Sequence, residues 1–296
     1  MKFSKKPEFY SKTITVFLAL LALSLAGYAL SQNIFFAVGV FFFLIVVFVV
    51  DFMQAKTGKN ERVGWKQTVF EVLTAFGLAV VAWLVLSLVL QTSTPLNVVT
   101  SCSMLPVLER GDLIVLQGGP VRVPEVSVPF ALSNASSQVR QLSAVELGKT
   151  YALVYTTIVS GVDVVNYSFT DCVVKARGES SRALGREACV ESAFAGGKVF
   201  QQDSSNDVIV YDAVPAKYGL IIHRAFARLN ATDGVFYLTK GDNNLFVDQQ
   251  AGISLVPENK VRGKVLFRIP LVGYLKLFLF LQFEEPPGCR QTLEKK

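Results

Sequence analysis

Three long apolar runs before residue 92 constrain this chain more than any other feature. Residues 13–30, 34–50 and 72–90 contain no Asp, Glu, Lys or Arg. Each approaches the ~20 residues that a helix needs to cross about 30 Å of hydrocarbon. In that medium backbone polar groups must be satisfied within the segment, which favours helices. The pattern predicts a membrane anchor over residues 1–91, with transmembrane helices at about 13–30, 34–50 and 70–90. The other reading of the first run is a cleaved signal peptide, given its basic start and the small pair Ala26-Gly27. Only Ser31-Gln32-Asn33 separates it from the second run, so a helical hairpin is preferred.

Charge sets the expected orientation. Lys2, Lys5, Lys6 and Lys12 precede the first run, and Lys56, Lys59, Arg62 and Lys66 lie between the second and the third. The short connector between the first two runs is uncharged. Basic flanks stay in the cytoplasm. An integral membrane protein is therefore expected, with a cytoplasmic N-terminus and everything after about residue 91 extracytoplasmic. The chain's net charge of +6 belongs largely to these flanks: residues 92–268 hold 17 Lys and Arg against 16 Asp and Glu, a balance of +1. A nucleic-acid partner would call for a basic face on the folded part, and none is expected. The lipid bilayer is the expected partner instead.

Beyond the anchor, short apolar runs follow turn signals. Residues 113–116, Val208-Ile209-Val210-Tyr211, Leu220-Ile221-Ile222, Val235-Phe236-Tyr237-Leu238 and residues 265–267 read as strands, with Thr232-Asp233-Gly234 as a hairpin turn. The expected fold class is a membrane-anchored, mainly-β protein. Its antiparallel β domain spans residues 92–118 and 205–283, a large β-rich lobe is inserted at 119–204, and 284–296 form a tail. Residues 269–283 read as strand or membrane-surface packing rather than a fourth crossing, since 15 residues of helix reach only about 22 Å. Cys172 and Cys189 are either a disulfide, which the compartment permits, or two core thiols. One histidine and no Cys-x-x-Cys pair leave no zinc site. Neither a metal nor a cofactor is expected.

Chemistry points to Ser103, His223 and the acids Asp242 and Asp248. A serine needs a base to become a nucleophile near neutral pH, and imidazole suits that role. A carboxylate orients the imidazole and stabilises its protonated form. His223 is the sole histidine in the chain.

The order of the motifs is similar to that of type I signal peptidases. Ser101-Cys102-Ser103-Met104-Leu105-Pro106 with Arg110-Gly111-Asp112-Leu113 resembles the nucleophile box of that family. Asp207-Val208-Ile209-Val210-Tyr211 with Ile222-His223-Arg224 resembles the next box, and Thr239-Lys240-Gly241-Asp242-Asn243-Asn244 with Asp248 the third. Residues 263–273, "GKVLFRIPLVG", look like the closing segment. A histidine base marks the archaeal and endoplasmic-reticulum branch. The resemblance covers about 100–120 residues, in blocks. It implies the signal-peptidase β-fold and a serine endopeptidase that removes signal peptides from exported preproteins, cleaving after small residues at the outer membrane surface.

By position it makes Ser103 the nucleophile and His223 the general base. Asp248 is the preferred orienter, with Asp242 bonding within its own turn. The Ser101 hydroxyl and the Ser103 amide are the implied oxyanion hole. Met104 and Leu105 either line the substrate pocket or are ordinary core. Accessory subunits or a translocon are further partners consistent with the resemblance. Two departures stand out: Cys102 replaces the family's usual glycine, and Ser103 and His223 lie 120 positions apart, far more than usual. The competing reading is a non-catalytic membrane assembly or client-binding protein.

Overall fold

The computed structural model describes residues 65–296, apart from 148–149, 160–161, 179–182, 287 and 296, and before them residues 15–24 with a few separate positions up to 47. Among these, one helix is long and apolar enough to cross a membrane. It is Trp65–Val89, whose window Val72–Val89 has a mean hydropathy of 2.5. Thr15–Ser24 forms a shorter apolar helix. Most of the rest of the first expected span and most of the second lie outside the described residues.

From Ser87 onward, residues 270–272 apart, the chain forms one compact unit with two sheets. The first sheet runs β1 (Leu96–Val98), β2 (Leu113–Gln117), β13 (Val261–Ile269), β9 (Val208–Asp212), β10 (Leu220–Ala231), β11 (Gly234–Lys240) and β12 (Val256–Pro257), all antiparallel. β3 (Glu125–Ser127) adds to β10 in parallel. Central β9 is buried at Val208, Ile209, Val210 and Tyr211. That explains its unbroken apolar run: a strand covered on both faces shows no alternation. The hairpin β10–β11 turns at Thr232-Asp233, with Ala231 opposite Gly234. The Asp233 carboxylate accepts the Leu132 and Ser133 amides at 2.8 Å each, which ties in the chain that leads to the insertion.

The second sheet runs β4 (Ser136–Leu147), β5 (Thr150–Val159), β6 (Val162–Ala176), β7 (Ala183–Ala195) and β8 (Lys198–Gln201). The inserted sheet thus begins at Ser136, because β3 belongs to the first sheet. β14 (Gln291–Lys295), in the tail, pairs with residues 172–176 of β6. Among the described residues, buried side chains of the insertion share a core with the first sheet. Val165, Tyr167, Val190 and Phe200 pack in one buried cluster with Phe226, Leu229, Phe236 and Leu238 of the first sheet. The expectation of an inserted β-rich lobe said nothing of this shared packing, because packing across the sheets leaves no local signature.

Residues 269–283 are not a strand throughout. β13 ends at Ile269, and Tyr274–Leu279 is a six-residue helix of about 9 Å. Phe278, Leu279, Phe280, Leu281 and Phe283 are all exposed.

Both cysteine pairs are bonded, Cys172–Cys189 and Cys102–Cys289. The first joins β6 to β7. The second has no counterpart in the sequence reading, since its partners are 187 positions apart.

Candidate active site

The loop between β1 and β2 carries Ser103 and is irregular. It is fixed by what it buries. Met104 packs with Val99, Leu108, Ile114, Leu116, Val208 and Val210. Leu105 packs with Cys102 and Cys289. These two side chains are 1% and 3% exposed. Both side chains thus sit in core clusters, as the core alternative expects, and Leu105 also lines the cavity described below. Cys102, at 2% exposure, points into the same cluster rather than into open space.

Behind the loop, the turn after β11 comes up against the serine backbone. The Asn243 amide donates to the Ser103 carbonyl at 2.7 Å. A Cβ on Gly241 would stand 2.7 Å from that same oxygen, so this approach requires glycine.

β10 presents His223, opposite Ile209 of β9 and 7% exposed. Its Nε2 lies 2.9 Å from Ser103 Oγ and its Nδ1 lies 2.7 Å from Asp248 Oδ2. Asp248 opens a 3-10 turn, Asp248–Ala251, and is 3% exposed. An ionised carboxylate only accepts. Nδ1 then carries the proton, and Nε2 offers its lone pair to the serine hydroxyl. The separation of 120 positions is bridged by the fold, because β10 follows the insertion and returns beside β9.

Asp248 is held in place by more than the imidazole. Its Oδ2 accepts the Tyr211 hydroxyl at 2.6 Å and the Thr239 hydroxyl at 2.5 Å. Burial first, and then the charge of Asp248, push the Tyr211 phenol well above its ordinary range, so it remains a donor. Buried charge demands such partners. The sequence reading did not assign a role to Tyr211 or Thr239, although both lie inside the quoted motifs. They become site residues only when β9 and β11 flank β10 and the Asp248 turn closes over them.

Asp242 is elsewhere. Its carboxylate receives Arg224 Nε and an Arg224 terminal nitrogen at 2.9 and 2.7 Å, and Gln202 Nε2 at 3.0 Å. The expectation of a turn aspartate bonded within its own backbone is corrected: Asp242 is the counter-ion of Arg224. A cavity of about 330 Å³, lined by Leu105, Pro106, Val107, Arg224, Asp242 and Asn244 among others, lies on this side. None of Ser103, His223 and Asp248 lines it. Ser101 is exposed, with its Oγ 3.2 Å from Ser103 Oγ.

The arrangement has the parts for nucleophilic attack: a part-exposed hydroxyl, an imidazole acceptor behind it, and a buried carboxylate behind that. Known proteins add little. No family model and no solved structure match the chain. It is 23% identical over 191 residues to an uncharacterised protein of Methanocaldococcus jannaschii, covering 62% of this chain and 82% of that relative.

Proposed function

We propose that this chain is a membrane-bound serine endopeptidase that removes N-terminal signal peptides from exported proteins, acting at the extracytoplasmic membrane surface. The observation that carries the reading is the relay Ser103–His223–Asp248, with contacts of 2.9 and 2.7 Å and two buried hydroxyls on the carboxylate. In this mechanism Ser103 attacks the scissile carbonyl while His223 Nε2 takes its proton. Asp248 stabilises the imidazolium, which then protonates the leaving amine. Water, activated by the same imidazole, releases the acyl-enzyme. The Ser101 hydroxyl, 3.2 Å from Ser103 Oγ, and the Ser103 amide are the donors proposed for the developing oxyanion.

Two further features support membrane work. The apolar window Val72–Val89 ends shortly before the nucleophile loop in sequence. In the folded unit, Phe278, Leu279, Phe280, Leu281 and Phe283 expose a cluster of large apolar side chains, more than scattered surface positions account for. Small residues at the cleavage site of an extended, membrane-emerging substrate are part of the same proposal.

The test is cleavage of a model preprotein by the purified chain in lipid. Ser103→Ala and His223→Ala are each expected to lower turnover by at least about 10³-fold, with the fold intact. A serine-directed phosphonate probe should label wild-type Ser103 and spare the alanine variant. Near-normal cleavage by either variant rules the mechanism out, and an unlabelled, inactive wild type favours a non-catalytic assembly protein.

A further inference from the structure

The tail meets the nucleophile loop at Cys102, beside Ser103, and the insertion meets that loop at Glu109. Cys102, its neighbour, is bonded to Cys289 of the tail. The Asn243 side-chain amide donates to the Cys102 carbonyl at 3.1 Å and to the Gln291 carbonyl at 3.0 Å, while its Oδ1 accepts the Leu293 amide at 2.9 Å. The backbone amide of the same residue holds the Ser103 carbonyl. One asparagine thus touches the nucleophile loop and the tail strand together.

The tail strand is in turn held by the insertion. β14 pairs with residues 172–176 of β6 in a five-residue register. Lys175 pairs with Glu294, and the Arg177 amide donates to the Arg290 carbonyl at 2.9 Å. The Arg177 guanidinium reaches past the tail to Glu109, on the nucleophile loop itself, at 2.6 Å. Cys172–Cys189 locks β6 to β7 where β14 docks.

We infer that the inserted sheet and the C-terminal strand form an internal brace that positions the nucleophile, with Cys289 and Asn243 as its positioning residues. The loop that carries Ser103 has no strand ladder of its own; besides its buried side chains it is held by turn hydrogen bonds such as Leu105 to Cys102 and Leu108 to Met104, and by the Asn243 amide on the Ser103 carbonyl. Reaction rates are steep in the position of the serine: a displacement of about 1 Å costs on the order of 100-fold. A covalent tether next to the serine and a bidentate amide behind it oppose such a displacement. The brace also accounts for Cys102, whose side chain is spent on the tether. This inference rests on the reading of Ser103 as nucleophile.

The experiment compares the full-length wild type, the double variant Cys102→Ser/Cys289→Ser, and Asn243→Ala, which keeps both disulfides. Turnover of a model preprotein is measured with oxidised, dithiothreitol-reduced and reoxidised protein, and amide hydrogen exchange is followed over residues 99–112. Both variants are expected to lose kcat by about tenfold or more, with KM within about twofold, and to exchange faster in residues 99–112 than elsewhere. Reduction should bring the wild type toward the double variant and reoxidation should restore it. A protein lacking only the Cys172–Cys189 pair should keep that response. Wild-type kcat in both variants overturns the inference. So does a change in KM alone, or faster exchange spread evenly through both sheets, which would make the tether mere packing. If Ser103→Ala still cleaves, the enzymatic reading falls, while the exchange measurement still decides whether the brace exists.

Discussion

The two sheets of the folded unit differ in what they bury. The first encloses His223, Arg224, Thr239 and Lys240 on β10 and β11, with Asp248 and Gln249 in the turn that follows. Among the described side chains of the inserted sheet, Ser192 is the buried polar group, bonded to Ser168 at 2.5 Å. Desolvated polar groups cost free energy unless they are partnered. A region that gathers them and satisfies them is therefore where chemistry is to be sought, and a region that buries Val165, Val190 and Phe200 is where stability resides. The two are joined by one core, so damage to the packing of either side reaches the other as stability, and only the brace at Cys102 and Asn243 carries it further to the mechanism.

The sharpest way to break that contrast is to change two acids of the first sheet that differ in role. Asp248→Asn keeps the size and removes the charge that holds the imidazolium, and it invites the wrong tautomer. Its kcat is expected to fall by roughly 10⁴-fold with little change in KM or melting temperature. Asp242→Asn leaves the relay in place and strands Arg224, whose side chain is 6% exposed. Breaking such a buried pair costs on the order of 3–5 kcal/mol, so the loss should appear in thermal unfolding, with kcat per folded molecule within about tenfold. Turnover and melting curves for the two variants on one preprotein decide it. A dead, stable Asp242→Asn would reverse the assignment.

Next in size is a change on the inserted side. Phe200 on β8 is 2% exposed and packs in the cluster shared by both sheets. Phe200→Ala should cost about 3–5 kcal/mol and leave kcat of the folded fraction near wild type at low temperature. Denaturant unfolding with parallel turnover measurements checks this. A large kcat loss without destabilisation would show that the division between the sheets is drawn in the wrong place.

The sequence alone made the first sheet readable and left the second mostly unread. Val208 to Tyr211 and the Thr232-Asp233 hairpin are local: an apolar run bounded by turn residues, and a turn between strands of adjacent sequence. The relay was readable because Ser103, His223 and Asp248 lie in motifs whose order is itself a signal. What the sequence could not carry was contact at long range. The Cys102–Cys289 bond, the docking of β14 on β6 and the Arg224–Asp242 pair each depend on strands that only the fold brings together. Tyr211 was legible as a strand residue, but its hydroxyl found Asp248 across 37 positions. Met104 and Leu105 show the same limit from the other side: composition fits a pocket lining and a core equally well, and in the fold both are buried while Leu105 also lines the cavity.

The smallest expected effect concerns two phenols of the first sheet at alkaline pH. Burial first, and Glu258 next, push the Tyr237 hydroxyl up to about 12, and its donor contact to Glu258 is 3.1 Å. Tyr211 is raised in the same direction by burial and by Asp248. An unfolded tyrosine ionises near pH 10. Between there and the higher folded values the unfolded chain has released protons that the folded chain still holds, so stability falls as pH rises. The contribution is whole below about pH 10, and the share of Tyr237 is spent by about pH 12. Tyr237→Phe should therefore flatten the decline in unfolding free energy across that window while leaving neutral-pH activity alone. Tyr211→Phe should flatten it too, but with a loss of turnover at neutral pH, because Asp248 loses a donor. Phe200→Ala, on the inserted sheet, should lower the whole stability curve by a constant amount and leave its alkaline slope unchanged. Denaturant melts of the three variants between pH 8 and about 12 separate these outcomes. An alkaline slope that Tyr237→Phe does not change would mean that its phenol titrates alike in the folded and unfolded chain.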